Sequence, residues 1–312
     1  LRHWWLRNLD KNEWVTPFSS SSPERLKVDL ETWLDWDKKI DGTFFDRDGI
    51  SLLAYVVCAN HFEAASYLLT EINNNFKNDA KERQLRIESR IPKNGFVNFG
   101  IPGLCTTLIG AMSFASPEIV QLLLENGSNP YAMEAGGNNS FMCACVTNRL
   151  DNVKHWIKEF PNWNLDIEDT AIGSVALGHA VYMGANRLEL VKFLVESGAN
   201  VTSISYHGGS ILTAACASED VDPTVVAYLL QNGVLSAGLL DYRMKARTTK
   251  WKLIQGTAKL LKRANIVRSG IISFVAEDAG KTALHQAVSR GDLQIVELLL
   301  SEGADPSLKN DL

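Results

Sequence analysis

The chain has 312 residues, 46% hydrophobic and 21% charged, with a formal net charge of −5. That composition belongs to a folded chain rather than a disordered one. No stretch approaches the roughly 18 consecutive apolar residues of a membrane-spanning helix, and the net acidity argues against nucleic acid as a partner.

Residues 1–22 contain Trp4, Trp5 and Trp14 and end in Ser19, Ser20, Ser21 and Ser22, a linker composition. The opening Leu1–Arg7 lacks the sustained apolar core of a signal peptide. A helix is predicted from Pro23, with Ser22 as its N-cap and Pro at its first position. Leu26, Leu30, Trp33 and Leu34 fall on one face of it. Residues 1–44 are therefore expected to form a Trp-rich segment and a helical cap on the folded region that begins near residue 45.

From about residue 45 the chain repeats itself. Leu53, Leu108, Met142, Leu177, Leu212 and Leu284 occupy one phase, each opening a short apolar helix. The middle three steps are 34, 35 and 35 residues; the outer two are 55 and 72. An amphipathic second helix and a Gly exit recur as well. Copies are Ile119-Val-Gln-Leu-Leu-Leu-Glu-Asn-Gly-Ser-Asn-Pro130, Leu190-Val-Lys-Phe-Leu-Val-Glu-Ser-Gly-Ala-Asn200 and Val225-Val-Ala-Tyr-Leu-Leu-Gln-Asn-Gly233. A weaker copy is Val153–Asn164. Gly127, Gly198, Gly233 and Gly303 each follow a helix end, where a left-handed residue is expected. Ala111, Ala180, Ala215 and Ala287 share another phase, where adjacent helices must approach closely.

Two stretches interrupt the period. Residues 70–102 contain Asn73, Asn74, Asn75 and the charged run Lys77–Arg83, then Pro92 and Pro102; they read as an extended second helix or a long loop. Residues 268–279 include the β-prone Gly270–Val275. Within the long last step, Leu260–Val267 aligns with Leu194–Val201, so a degenerate sixth unit is expected from Ala237. Seven units then start near Asp48, Gly103, Gly137, Gly173, Gly208, Ala237 and Gly280.

The most complete unit is Gly280-Lys-Thr-Ala-Leu-His-Gln-Ala-Val-Ser-Arg-Gly-Asp-Leu-Gln-Ile-Val-Glu-Leu-Leu-Leu-Ser-Glu-Gly-Ala-Asp-Pro306. It resembles the ankyrin repeat, G-x-T-P-L-H-x-A-x(3)-G-x-L-x-I-V-x-L-L-L-x-x-G-A-D, with Ala283 in place of Pro. The resemblance implies an all-α solenoid of stacked helix-turn-helix units with short β-hairpin turns, covering residues 45–312. It also implies non-catalytic protein recognition through the concave face. Carried over by position, the partner-binding residues would be Phe114, Tyr182, Met183, Tyr206, His207, Lys281, Ser289 and Arg290. His285 is similar to the family's structural histidine, and Thr282 can cap the first helix through its hydroxyl.

The strongest local signal is charge. Arg243, Lys245, Arg247, Lys250, Lys252, Lys259, Lys262, Arg263 and Arg268 lie in residues 243–268 without an acidic residue, interleaved with Trp251, Leu253, Ile254, Leu260 and Leu261. A basic amphipathic segment suits an acidic protein surface, calmodulin or an anionic lipid surface. Ile254-Gln255 with Lys259 resembles the start of an IQ motif, but Leu260 and Ala264 depart from its continuation.

No P-loop, H-E-x-x-H or G-x-S-x-G pattern occurs, and no histidine has a nucleophile beside it in sequence, so catalysis is not expected. Cys58, Cys105, Cys143, Cys145 and Cys216 are an odd count. They read as small buried side chains of a reducing, cytoplasmic compartment. Cys143 and Cys145 point about 200° apart on a helix and lack a second ligand pair, so neither a metal nor another cofactor is expected. The chain lacks an initiator Met and stops where another hairpin would begin. A regulatory segment of a larger kinase, channel or ubiquitin-ligase subunit is one alternative; a microbial effector is another.

Overall fold

The computed structural model describes residues 51–88, 105–183, 186–263 and 279–311. The expected cap at Pro23, the starting points Asp48 and Gly103, Arg268 and the Gly270–Val275 stretch lie outside them. The chain divides into two compact units, Leu1–Pro161 and Asn162–Leu312. Among the described residues each is built from helix pairs, with single antiparallel bridges, Met133 to Asn139 and Ile204 to Ser210, closing hairpin loops.

In the first unit the helices are α1 (Leu52–Cys58), α2 (Phe62–Asn75), α3 (Ala80–Ile87), α4 (Thr107–Phe114), α5 (Pro117–Glu125), α6 (Ser140–Val146) and α7 (Leu150–Glu159). First helices stack on first helices, α1 on α4 and α4 on α6; second helices do the same, α2 on α5 and α5 on α7. The residue types explain the layering. α4 buries every residue from Thr107 to Ser113, and the bare methyl of Ala111 allows close approach on both sides. α5 is amphipathic and buries only Ile119, Val120 and Leu123. Thr106 and Asn139 cap α4 and α6 by accepting the N–H groups of Ile109 and Met142. The free carbonyls ending α4 are taken by the next pair: Arg149 Nη2 reaches Ala115 O at 2.6 Å and Asn152 Nδ2 reaches it at 2.9 Å. The long interruption resolves, as far as Glu88, into two elements. α2 ends at Asn75, and a separate α3 starts behind Asp79, whose carboxylate accepts the Glu82 N–H at 2.9 Å.

In the second unit they are α8 (Ala176–Tyr182), α9 (Leu188–Glu196), α10 (Ile211–Ala217), α11 (Pro223–Leu229), α12 (Thr249–Arg263), α13 (Ala283–Arg290) and α14 (Leu293–Ser301). α8 packs on α10 and α10 on α13; α9 packs on α11 and α11 on α14. The pair α10/α11 thus borders α13/α14 directly. Among the described residues no helix pair stands between them, contrary to the sixth unit expected from Ala237, and α12 lies between α11 and α13 in chain order. Gly127, Gly198, Gly233 and Gly303 have φ of 88°, 99°, 129° and 92°, as their positions after helix ends require. Thr282 caps α13 reciprocally with His285: its hydroxyl accepts the His285 N–H, and His285 Nδ1 accepts the Thr282 N–H.

Candidate binding face of the second unit

The loops entering α8, α10 and α13 are joined edge to edge. Tyr206 donates its N–H to Ile172 O at 2.6 Å, Arg247 donates to Tyr206 O at 2.8 Å, and Met244 donates to Lys281 O at 2.8 Å. Gly280 returns a bond to Met244 O at 2.9 Å. The loop before α13 is therefore made of two chain segments, 241–247 and 279–282, with α12 emerging between them.

Each loop needs an internal acceptor, because a tight turn strands backbone donors. Asp169, almost fully buried, accepts the N–H groups of Ala171, Ile172 and Ser174 at 2.8, 2.7 and 2.9 Å, and His179 Nε2 lies 3.2 Å from its Oδ2. Burial raises the Asp169 pKa, but the His179 and backbone hydrogen bonds outweigh it and leave it below the ordinary value. Ser205 plays the equivalent part in the next loop, accepting the Gly209 N–H at 3.0 Å and meeting His207 Nδ1 at 3.0 Å.

Tyr206 lies across Gly173: a Cβ there would come within 2.2 Å of its ring. The Arg247 guanidinium sits 5.1 Å from the ring centroid and pairs with Glu168. Burial and the Glu168 carboxylate push the Tyr206 hydroxyl pKa upward. α12 rests on the same loops. Gln255, buried, donates to His207 O at 2.9 Å, and the Trp251 ring lies 5.8 Å from that of His207. Asp311 ties the far side down, accepting from Arg243 at 2.8 Å and from Lys259 at 2.9 Å. Beneath α12 is a cavity of about 290 Å³, walled by α8, α10, the loops and α12.

Comparison with known proteins agrees with this architecture. The family model described as ankyrin repeats (3 copies) matches residues 108–205 and 177–310, more than half of the chain. The chain belongs to the ankyrin-repeat family. It is 25% identical over 229 residues to the ankyrin repeat and KH domain-containing protein mask-1 of Caenorhabditis elegans, a match covering 65% of this chain and 9% of that protein. The chain thus spans about a tenth of the length of that relative. Its fold is similar to the crystal structure of the ankyrin repeat domain of Bcl-3, a unique member of the IkappaB protein family. That match has a TM-score of 0.53 and 23% identity, and covers 85% of this chain and 91% of that one.

Within this ankyrin array the expected partner-binding residues separate. Tyr182 and His207 line the cavity, and Tyr206 stands beside it under Arg247. Met183 caps α8, and its carbonyl accepts from Arg187 at 3.1 Å. Lys281 is half-buried, its carbonyl committed to Met244. Arg290 reaches Ala217 O at 3.3 Å, at the end of α10, while Ser289 is exposed. Phe114 belongs to the first unit, against Ala54, Cys105, Ile109 and Cys143.

The basic stripe separates too. Arg243, Arg247 and Lys259 are ion-paired with acids far away in sequence, Asp311 and Glu168. Lys262 is half-buried, and the Arg263 side chain and Arg268 lie outside the described residues. Lys245, Lys250 and Lys252 are exposed and form no ion pair among the described residues. Gln255 of the IQ-like pair is turned onto the His207 carbonyl. Asp169, Ser205, Glu168 and Asp311 are not among the residues that sequence reasoning singles out. The phase of Glu134, Asp169 and Ser205, each just before a loop glycine, is the signal that marks the first two.

None of the five cysteines is in a disulfide. Burial pushes Cys58 and Cys216 up to about 12, and burial, with neighbouring thiols and Glu134, raises Cys143 well above the ordinary thiol value. Among the described residues no cluster of His, Cys, Asp or Glu is placed to hold a metal, and no helix is long and apolar enough to cross a membrane.

Proposed function

We propose that the chain is a non-catalytic recognition module that binds an acidic surface of another protein. The contact would run across the loops and first helices of residues 162–311 and the exposed lysines beside them. Ankyrin repeats are generally protein-interaction modules, and the family fixes that coarse role. The finer reading is carried by one observation: Lys245, Lys250 and Lys252 are exposed, and unpaired among the described residues, next to Tyr206, His207 and Trp251. Cations beside aromatic rings supply both long-range attraction and anchoring area. Free thiols suit a reducing compartment such as the cytoplasm.

The test is a charge reversal. A partner captured by the wild-type chain and identified by mass spectrometry is purified, and its affinity is measured for wild type and for Lys245→Glu, Lys250→Glu, Lys252→Glu combined. The variant should bind at least roughly tenfold more weakly, and wild-type affinity should fall with added salt. Equal affinity at all salt concentrations would refute the reading. Calmodulin and phosphatidylserine vesicles belong in the same assay, since saturable binding to either would replace the acidic partner.

A second reading, a regulatory ankyrin segment of a larger polypeptide, is favoured by the 9% share of the nematode relative that the chain covers. The full open reading frame of the natural gene tests it.

A further inference from the structure

α12 is held by one face and bare on the other. Gln255 and Ala258 are buried, Gln255 donating to His207 O at 2.9 Å, and Lys259 reaches Asp311 at 2.9 Å. The opposite face carries Leu253 and Leu260, 71% and 68% exposed. At about 100° per residue the two leucines stand in line, two turns or about 10.5 Å apart. Gly256 and Thr257 lie between them, both exposed, and a Cβ built on Gly256 would meet nothing within 4 Å. The stripe is therefore two apolar knobs with a low saddle between them. Lys250 and Lys252, both exposed, flank it on either side.

We propose that the outward face of α12 docks an acidic amphipathic helix of a partner protein. The proposal rests on the acidic-partner reading above and names the element that makes the contact. Leucines two turns apart match the i, i+7 spacing of an apolar stripe on a second helix, and the missing side chain at Gly256 lets that helix approach closely. Lys250 and Lys252 form no ion pair among the described residues, so they select acidic side chains beside that stripe. A second copy of α12 fits less well, because the same lysines would meet each other. A lipid surface fits less well because the chain as a whole is acidic, at −5, and the negative field of a bilayer acts on all of it. α12 is formed and anchored before the partner arrives, so little ordering cost falls on this side.

The probe is a fluorescein-labelled peptide of Leu, Ala and Glu, about 18 residues long, with leucines at i, i+3, i+4 and i+7. Its binding to the full chain is read by fluorescence anisotropy. A peptide of the same composition, with the leucines scattered off any one face, is the control. Wild type should bind the probe saturably and the control at least roughly tenfold more weakly. Leu253→Lys combined with Leu260→Lys separates an apolar contact from a purely electrostatic one. It adds two cations at little cost in helix propensity, and should weaken probe binding at least roughly tenfold. Leu253→Gln with Leu260→Gln serves if that variant loses its helical circular dichroism. Unchanged or tighter binding by the leucine variant would overturn the docking face and leave the acidic-partner reading standing. Lys250→Glu with Lys252→Glu should also weaken the probe; no effect there would sink the acidic half of both readings. Absence of probe binding, or equal binding of the control, would overturn the docking face too. So would saturable binding to phosphatidylserine vesicles but not to the probe, or a dimer in sedimentation that the leucine variant dissolves; these outcomes assign the face to lipid or to a second copy.

Discussion

Met244 donates its backbone N–H to the carbonyl of Lys281 at 2.8 Å, across an inserted helix, so the loop of the last repeat is made from two separate stretches of chain. The neighbouring loop is pressed against this composite one. A Cβ on Gly208, whose φ is +98°, would lie 2.4 Å from the Lys245 backbone. Gly208→Ala should therefore cost about 2 kcal/mol or more by urea unfolding, from backbone strain plus the clash. Gly238→Ala is the comparison: φ is +66°, with nothing near the added carbon, and only about 1 kcal/mol should be lost. Equal losses would mean that the loops are not in close contact.

Asp169→Ala removes the acceptor of three backbone donors and should destabilise the second unit by about 2–4 kcal/mol. The folded pKa of Asp169 is lowered, so the unfolded chain takes up the proton more readily. Its contribution is complete above the ordinary carboxylate pKa, about 4, and is lost as pH falls through the lower folded value. Stability measured between about pH 5 and 2.5 should fall more steeply for wild type than for the variant.

His285 behaves with the opposite charge type but the same direction. Burial, then Lys281 and Arg243, lower its pKa, and its Nδ1 must stay an acceptor for the Thr282 N–H. Below about pH 6.5 the unfolded histidine gains a proton that the folded one resists, so stability declines on acidification through the folded value. His285→Gln should flatten that part of the profile. An unchanged slope between about pH 7.5 and 5.5 would count against the reciprocal cap.

Asp311→Ala removes both ion pairs that hold Arg243 and Lys259. These pairs are largely exposed, so global stability should change by less than about 1 kcal/mol. The local effect should be larger: amide hydrogens of α12 should exchange faster while those of α10 and α13 keep their rates.

The thiols offer a test of packing. Cys105, Cys143, Cys145 and Cys216 are buried, with the pKa of Cys216 raised to about 12. None of these four should react with a disulfide reagent at about pH 8 until the chain unfolds, and the labelling rate should track the denaturation curve. Fast labelling in the native state would indicate that the first helices are not packed as described.

Local rules make the last repeat readable. Thr282, Gly303 and the apolar spacing of Leu293–Ser301 each act within a few residues, so sequence order carries their meaning. The expectation of a sixth unit fails for the converse reason. Leu260 and Leu261 have the spacing of a second helix, yet Leu260 is 68% exposed, and among the described residues α12 bonds a loop, through Gln255 and the His207 carbonyl. Apolar periodicity reports that a helix has two faces; it does not say what covers either one. The basic stripe is obscured in the same way. Its segment contains no acid, but Glu168 and Asp311 approach from distant parts of the chain and neutralise Arg247, Arg243 and Lys259. Of the candidate binding positions, Tyr182 and His207 line the cavity, whereas Arg290 is committed to the end of α10 by a contact no local pattern encodes.

The divided loop bears on how the protein would withstand cutting. A single cleavage between Arg263 and Ala279 leaves α13 and α14 on one fragment, still stacked on α10 and α11 and still paired to Met244. The two fragments should stay together as a native complex and separate only in denaturant. The last repeat is thus a joint held by surfaces as well as by the peptide bond.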